Sequence, residues 1–148
     1  MRLTEEQFAA MLKQSHCSIG GKAPKKKGRV NSRKVKVDGV EFDSQAEAKI
    51  YFELKHDPDV EFLRIHPEFT LLDGFKRGKK KFQPITYKAD FRIMEKGVEV
   101  IVEVKSTGTL KANAKSYPMR KKMFLKKFPE LGFREIIFNG SKRTVRDY

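Results

Sequence analysis

Asp90, Glu103 and Lys105 are the residues of this chain whose types and spacing could do chemistry. They lie in "KADFRIMEKGVEVIVEVKST", residues 88–107, which alternates as two strands around Lys96-Gly97. With that pair as a two-residue turn, Ile93 falls opposite Val100, Phe91 opposite Val102 and Ala89 opposite Val104, making one wholly apolar face. The same register sets Asp90 directly opposite Glu103, with Cβ atoms about 4.5–5.5 Å apart. Lys105 lies two residues beyond Glu103, on the same face. Two carboxylates held that close repel, and one acquires a raised pKa unless a cation sits between them. A hard divalent cation with oxygen ligands fits such a gap. The other reading of the same residues is a solvated sheet face on which Lys105 bridges both acids. The register also turns Lys88 toward Lys105, a like-charge pair that calls for splayed strands or for a phosphate near Lys88.

Glu47 is a further acid in an unusual position. It belongs to a helix expected over "DSQAEAKIYFELK", residues 43–55, with Ser44 as N-cap and Ala46, Ile50, Tyr51 and Leu54 on the buried side. Glu47 shares the stripe of Ile50, Tyr51 and Leu54. Ser44-x-x-Glu47 also reads as a capping box, so a ligand and a cap both remain open.

These residues need a scaffold, and the chain supplies the signals for one. Residues 4–14 form a short helix with a Thr4/Gln7 capping box and a Phe8, Met11, Leu12 stripe. That stripe has no obvious place in the main core and is a candidate dimer contact. Residues 15–32 read as a flexible basic linker that could lie along a phosphate backbone, or as a tail without a role. "RKVKVDGVEF" is a hairpin turning at Asp38-Gly39, with Val35 and Val37 facing Phe42 and Val40. "VEFLRIHPEFTLLD" is strand-like but interrupted at Pro67, and "GFKRGKKKFQP" is a basic loop. "NAKSYPMRKKMFLKKFP" is a second amphipathic helix starting near Tyr117, because Pro118 suits a first turn. Met123, Phe124 and Phe128 face inward there, and Arg120, Lys121, Lys122, Lys126 and Lys127 crowd the outside. "GFREIIFNG" is a last strand and "SKRTVRDY" a polar tail. From Ser44 the order is helix, three strands, helix, strand. That order predicts an α/β fold with one mixed central sheet flanked by helices.

The bulk numbers narrow the function. At 148 residues the chain fits one domain with a modest core, here placed at 33–148. Hydrophobic residues make up 39% and charged residues 35%, and the net charge is +14. Such an excess attracts polyanions, nucleic acid above all, because each neutralised phosphate releases a counterion. Cys17 is the one cysteine, which excludes an internal disulfide and an all-cysteine zinc site, and His16, His56 and His66 form no spaced ligand pair. No apolar run approaches the roughly 20 residues that span a bilayer, and the opening residues do not read as a secretory signal.

The helix with Glu47, "ADF" at 89–91 and "VEVKS" at 102–106, followed by a helix and a strand, resembles the PD-(D/E)XK nuclease superfamily, whose core order is αβββαβ. "VDGVEFDSQAEAKIYFEL", "ITYKADF" and "VEVKS" resemble a group of small phage and prophage proteins of that superfamily, similar to Holliday-junction resolvases. The resemblance covers about residues 35–138, and Ala89 stands where the named pattern has proline. It implies a restriction-endonuclease-like αβββαβ core, with the N-terminal helix and first hairpin as additions. It further implies a metal-dependent DNA endonuclease, structure-selective and resolvase-like, in the cytoplasm of a bacterial host.

Carried over residue by residue, Asp90 and Glu103 would bind Mg²⁺, for which Mn²⁺ can substitute. Glu47 would complete the shell directly or through water, and the Val104 backbone carbonyl would add a ligand. Lys105 would orient or deprotonate the attacking water, or stabilise charge on the phosphate. Lys25, Lys26, Lys27 and Arg29 of the linker, Arg77, Lys79, Lys80 and Lys81 of the basic loop, Lys88, and Arg120, Lys121 and Lys122 of the second helix would hold DNA. Phosphate contacts of this kind position a substrate without reading bases, which favours recognition of branched shape, and symmetric cutting of a junction requires a homodimer. The competing readings are a non-catalytic nucleic-acid-binding protein of the same fold, and a restriction-like or transposon-end nuclease.

Overall fold

The computed structural model of the protein describes residues 2–14 and 33–148. The expected linker, with Lys25, Lys26, Lys27 and Arg29, lies outside the described residues. The chain divides into two compact units, Met1–Pro58 and Asp59–Tyr148.

The first unit contains α1 (Glu5–Gln14), the hairpin β1 (Val35–Val37) and β2 (Val40–Phe42), and α2 (Gln45–Lys55). The capping box of α1 forms as expected: Gln7 Oε1 accepts from Thr4 N at 2.9 Å, and Thr4 Oγ1 accepts from Gln7 N at 3.2 Å. The hairpin turns with positive φ at both Asp38 (50°) and Gly39 (80°), the backbone that a type I′ turn demands. Val35 pairs with Phe42 and Val37 with Val40, as the pattern predicts. Asp38 is tied to α2, accepting from the Tyr51 hydroxyl at 3.2 Å and from Lys55 Nζ at 2.7 Å.

Helix α2 departs from its one-sided expectation. Ala48, Ile50, Tyr51 and Phe52 are its buried apolar residues, with Glu47 and Glu53 buried beside them, whereas Ala46 and Leu54 are only half-buried. The cause is α1, whose Phe8 packs edge-on against Phe52 with ring centroids 6.0 Å apart. Glu53 accepts a hydrogen bond from Leu3 N at 2.9 Å. The Phe8 stripe therefore has a partner within its own unit, where the sequence suggested none.

In the second unit one five-stranded sheet runs in the order β11-β10-β9-β8-β3. Its strands are β3 (Val60–Ile65), β8 (Phe91–Glu95), β9 (Val98–Ser106), β10 (Gly132–Asn139) and β11 (Lys142–Asp147). Strands β9 and β10 are parallel and the other neighbours antiparallel, so the sheet is mixed. Helices α3 (Thr107–Ala112) and α4 (Ser116–Lys127) make the crossover that parallel neighbours need. Phe124 of α4 is fully buried and clusters with Ile101, Phe133, Tyr87 and Phe69. Truncating such a residue to Ala costs about 3–5 kcal/mol.

Two further ribbons complete the unit: β4 (Glu68–Leu72) pairs with β7 (Ile85–Lys88), and β5 (Phe75–Arg77) with β6 (Lys80–Phe82). Segment 74–84, expected as a loop, is thus mostly a hairpin. Gly78 (φ 60°) leads its two-residue turn, a position where a side chain would be strained. The expected polar tail is the strand β11, and Tyr148 continues its pairing, donating to Phe133 O at 2.9 Å. Helix α3 was not anticipated. Helix α4 begins at Ser116, with Pro118 inside its first turn.

Pro67 shapes the strands that lead into the site. It interrupts β3–β4 beside His66, whose φ is 52°, and the partner chain breaks in step at Ala89-Asp90. His66 N donates to Asp90 O at 2.9 Å and Ala89 N to Pro67 O at 3.0 Å, so the two bent strands stay joined through the break.

Candidate functional site

The β8–β9 ladder has the register read from the sequence, with Phe91 opposite Val102 and Ile93 opposite Val100. It stops at Phe91. Asp90 is therefore not a ladder partner of Glu103, which corrects the expected cross-strand pair. Its carboxylate takes over the pairing instead: Oδ2 accepts from Val104 N at 2.7 Å. The N–H and C=O of a strand residue point to the same side, so the Val104 carbonyl also faces the Asp90 side. Ala89, expected opposite Val104, joins the cluster of Tyr87, Ile101, Tyr117 and Phe124. Lys88, expected to face Lys105, lies opposite Glu68 in the β4–β7 ladder, which removes the like-charge conflict.

The face carrying Glu103 is not solvated, which counts against the alternative reading of these residues. Glu103 is 2% exposed. Its Oε2 accepts from the Tyr87 hydroxyl and its Oε1 is ion-paired with Lys105. Burial pushes its carboxyl up to about 7, the Asp90 charge adds to the rise, and Lys105 and the Tyr87 hydroxyl oppose it. Burial, then the Glu103 charge and hydrogen bond, hold the Tyr87 phenol far above its ordinary range. The Lys105 side chain is 17% exposed, with Nζ 5.2 Å from the centre of the Tyr117 ring. Asp90, Glu103, Val104 and Lys105 are thus brought together.

Sequence reasoning missed three participants: Tyr87, Tyr117 and Glu135. Glu135 occupies the β10 position matched to Glu103 in the parallel ladder and is equally buried. It accepts from the Tyr117 hydroxyl at 2.7 Å and from Lys121 Nζ at 3.3 Å. Tyr117 has its phenol pushed up by burial and by this bond. A signal for Glu135 existed, since an acid between Phe133 and Ile137 on one strand face needs partners. For the tyrosines nothing in the spacing singled them out.

Lys121 requires correction as a phosphate contact. Its side chain is 19% exposed and turns inward to Glu135, although the helical pattern put it outside. Arg120 and Lys122 are exposed on α4, as are Arg77, Lys79, Lys80 and Lys81 on the β5–β6 hairpin and Lys88 on β7. Glu47, in the first unit, is 9% exposed and caps α2 in a variant of the expected box: its N donates to Ser44 Oγ at 3.1 Å, while its carboxylate reaches the N–H one residue before the N-cap. Its Oε2 accepts from Asp43 N at 3.1 Å, and its Oε1 accepts from Ser44 Oγ at 3.1 Å.

Among the described residues no group of three or more His, Cys, Asp or Glu is arranged to hold a metal ion. The donor set at Asp90 is smaller but fits Mg²⁺, which retains several waters and takes only one or two protein carboxylates. Asp90, Glu103 and the Val104 carbonyl would be the oxygen donors for such an ion. Each Glu103 oxygen has a further lone pair beyond the one that its protein partner uses.

The family described as "Protein of unknown function (DUF1064)" matches residues 27–142. No curated protein matches the chain. A solved structure described as "Crystal structure of SSO0001" is similar at 16% identity with a TM-score of 0.45, over 68% of this chain and 47% of that one. The chain thus spans about half the length of that protein. No helix among the described residues is long and apolar enough to cross a membrane.

Proposed function

The chain belongs to the DUF1064 family, and we propose that it is a metal-dependent nuclease of the PD-(D/E)XK type acting on branched DNA. One observation carries the reading. A buried carboxylate, Glu103, lies in the field of Asp90 and in contact with Lys105, on a unit whose exposed hairpin and helix are basic. Setting aside the β5–β6 ribbon, α3 and β11, and counting the bent β3–β4 and β7–β8 segments as one strand each, the order from α2 to β10 is compatible with αβββαβ.

Asp90, Glu103 and the Val104 carbonyl would hold a divalent ion, which would supply a Lewis acid and lower the pKa of its water. The chain's own residues do the rest. Tyr87 and Lys105 fix the Glu103 carboxylate in one orientation. Lys105, packed on the Tyr117 ring, adds fixed positive charge where a phosphodiester gathers negative charge. Arg77, Lys79, Lys80, Lys81, Arg120 and Lys122 supply phosphate contacts that position without reading sequence. Symmetric cutting of a junction then calls for two copies of the chain.

A second reading, a nucleic-acid-binding protein of the same fold without chemistry, is favoured by one observation: both Glu103 oxygens already have protein partners. Linear, forked and four-way DNA, each with Mg²⁺ or with chelator, separates the two. Cleavage of branched DNA that depends on Mg²⁺ supports the nuclease. Salt-sensitive binding with no cleavage of any substrate supports the second reading.

A further inference from the structure

The geometry points to the β5–β6 hairpin as a stacking platform for an unpaired DNA base, flanked by its own phosphate contacts. The inference deepens the DNA-processing reading and rests on its DNA-binding part.

The hairpin carries five basic residues, Lys76, Arg77, Lys79, Lys80 and Lys81, and no acid. Its register sets Lys76 opposite Lys81 and Arg77 opposite Lys80. Like charges directly across an antiparallel pair are destabilising, and a two-stranded ribbon of three residues a side has little to offset them. A polyanion along the ribbon removes the conflict. The third pair is Phe75 with Phe82, stacked at 4.7 Å between centroids and 11° between planes. Lys80 Nζ lies 5.3 Å over the Phe82 ring, while Phe75 is 47% exposed. At the foot of the ribbon Leu72 and Ile85, paired across β4 and β7, are 43% and 37% exposed.

Phosphate binding alone requires none of this apolar surface. An exposed aromatic ring on a ribbon of cations is the arrangement that binds single-stranded nucleic acid, where every base offers a face to stack. In duplex DNA those faces are occupied by neighbouring bases, so the platform favours a strand that is already unpaired, as at a fork or branch point. No more than roughly 26 Å of extended chain, from Phe82 along β7, separates the platform from Asp90.

The test measures DNA binding in chelator, where chemistry is absent, using the full chain. The probes are a duplex and a fork carrying 2-aminopurine in its unpaired arm. Phe75→Leu keeps apolar bulk but removes the aromatic face, and Phe75→Trp enlarges that face. The expected result is at least about a fivefold loss of fork affinity for Phe75→Leu with duplex affinity unchanged. Quenching of 2-aminopurine is retained by Phe75→Trp and lost by Phe75→Leu. Lys80→Ala with Lys81→Ala weakens both probes and flattens the salt dependence. Equal losses on fork and duplex for Phe75→Leu, or no loss on either, overturn the platform, and so does failure to bind any DNA. A chain that binds forks through Phe75 but cleaves nothing with Mg²⁺ sinks the nuclease reading and leaves the platform standing. A chain that cleaves, but is indifferent to Phe75, does the reverse.

Discussion

The Asp90 carboxylate accepts a hydrogen bond from the Val104 backbone N–H at 2.7 Å, standing in for the main-chain partner that the end of β8 withdraws. One acid side chain thus closes the ladder. Asn preserves the acceptor and removes the charge. Asp90→Asn is expected to keep its melting temperature and its DNA affinity, and to lose Mg²⁺-dependent cleavage to background. Asp90→Ala leaves the Val104 N–H without that acceptor and should unfold about 1–3 kcal/mol more easily by urea titration.

Glu103 gives a pH signature in the metal-free protein. Its folded pKa of about 7 lies above its ordinary value of 4.5. Stability linked to its proton is therefore fully present below pH 4.5 and lost as pH rises through about 7, by about 3 kcal/mol in all. Thermal unfolding in chelator should show that decline, and Glu103→Gln should flatten it. An unchanged slope in the Gln variant would count against the buried charge.

Tyr117 combines two functions that substitutions can separate. Its hydroxyl bonds Glu135, and its ring lies beneath Lys105. Tyr117→Phe should destabilise the fold by about 1–3 kcal/mol, because a buried carboxylate loses a donor, yet leave the turnover rate near wild type. Tyr117→Leu removes the ring as well, and should lower kcat more than it raises KM. Equal kinetic damage from both variants would remove the positioning role.

Lys121 and Lys122 are neighbours with opposite prospects. Lys122 is exposed, whereas Lys121 is held by Glu135. Lys122→Ala should reduce the salt dependence of DNA binding by about one unit of slope while sparing stability. Lys121→Ala should do the opposite, weakening the fold and leaving the slope alone.

These contrasts show what the sequence could express. The register of β8 and β9 was legible because a strict period of two and a Lys96-Gly97 turn leave one apolar face. The turn at Asp38-Gly39 was legible for a similar local reason. The break at Asp90 was not, because it answers Pro67 more than twenty residues away, across a main-chain pairing that no local pattern encodes. The burial of Glu103 escaped too. Its strand is central and covered by α4, so alternation no longer separates inside from outside. Hairpin β5–β6 was hidden by its own charge, since five cations read as solvated loop whatever the backbone does. Lys121 defeated helical periodicity because Glu135 sits within reach of what would otherwise be an outer position.

The strand β11 closes one margin of the sheet with Lys142, Arg143, Arg146 and Asp147. Long cationic side chains along an open border deter a second chain from adding itself there as another strand. Self-association of this protein would then not extend the sheet across that border, and concentrated solutions should resist fibre growth seeded there.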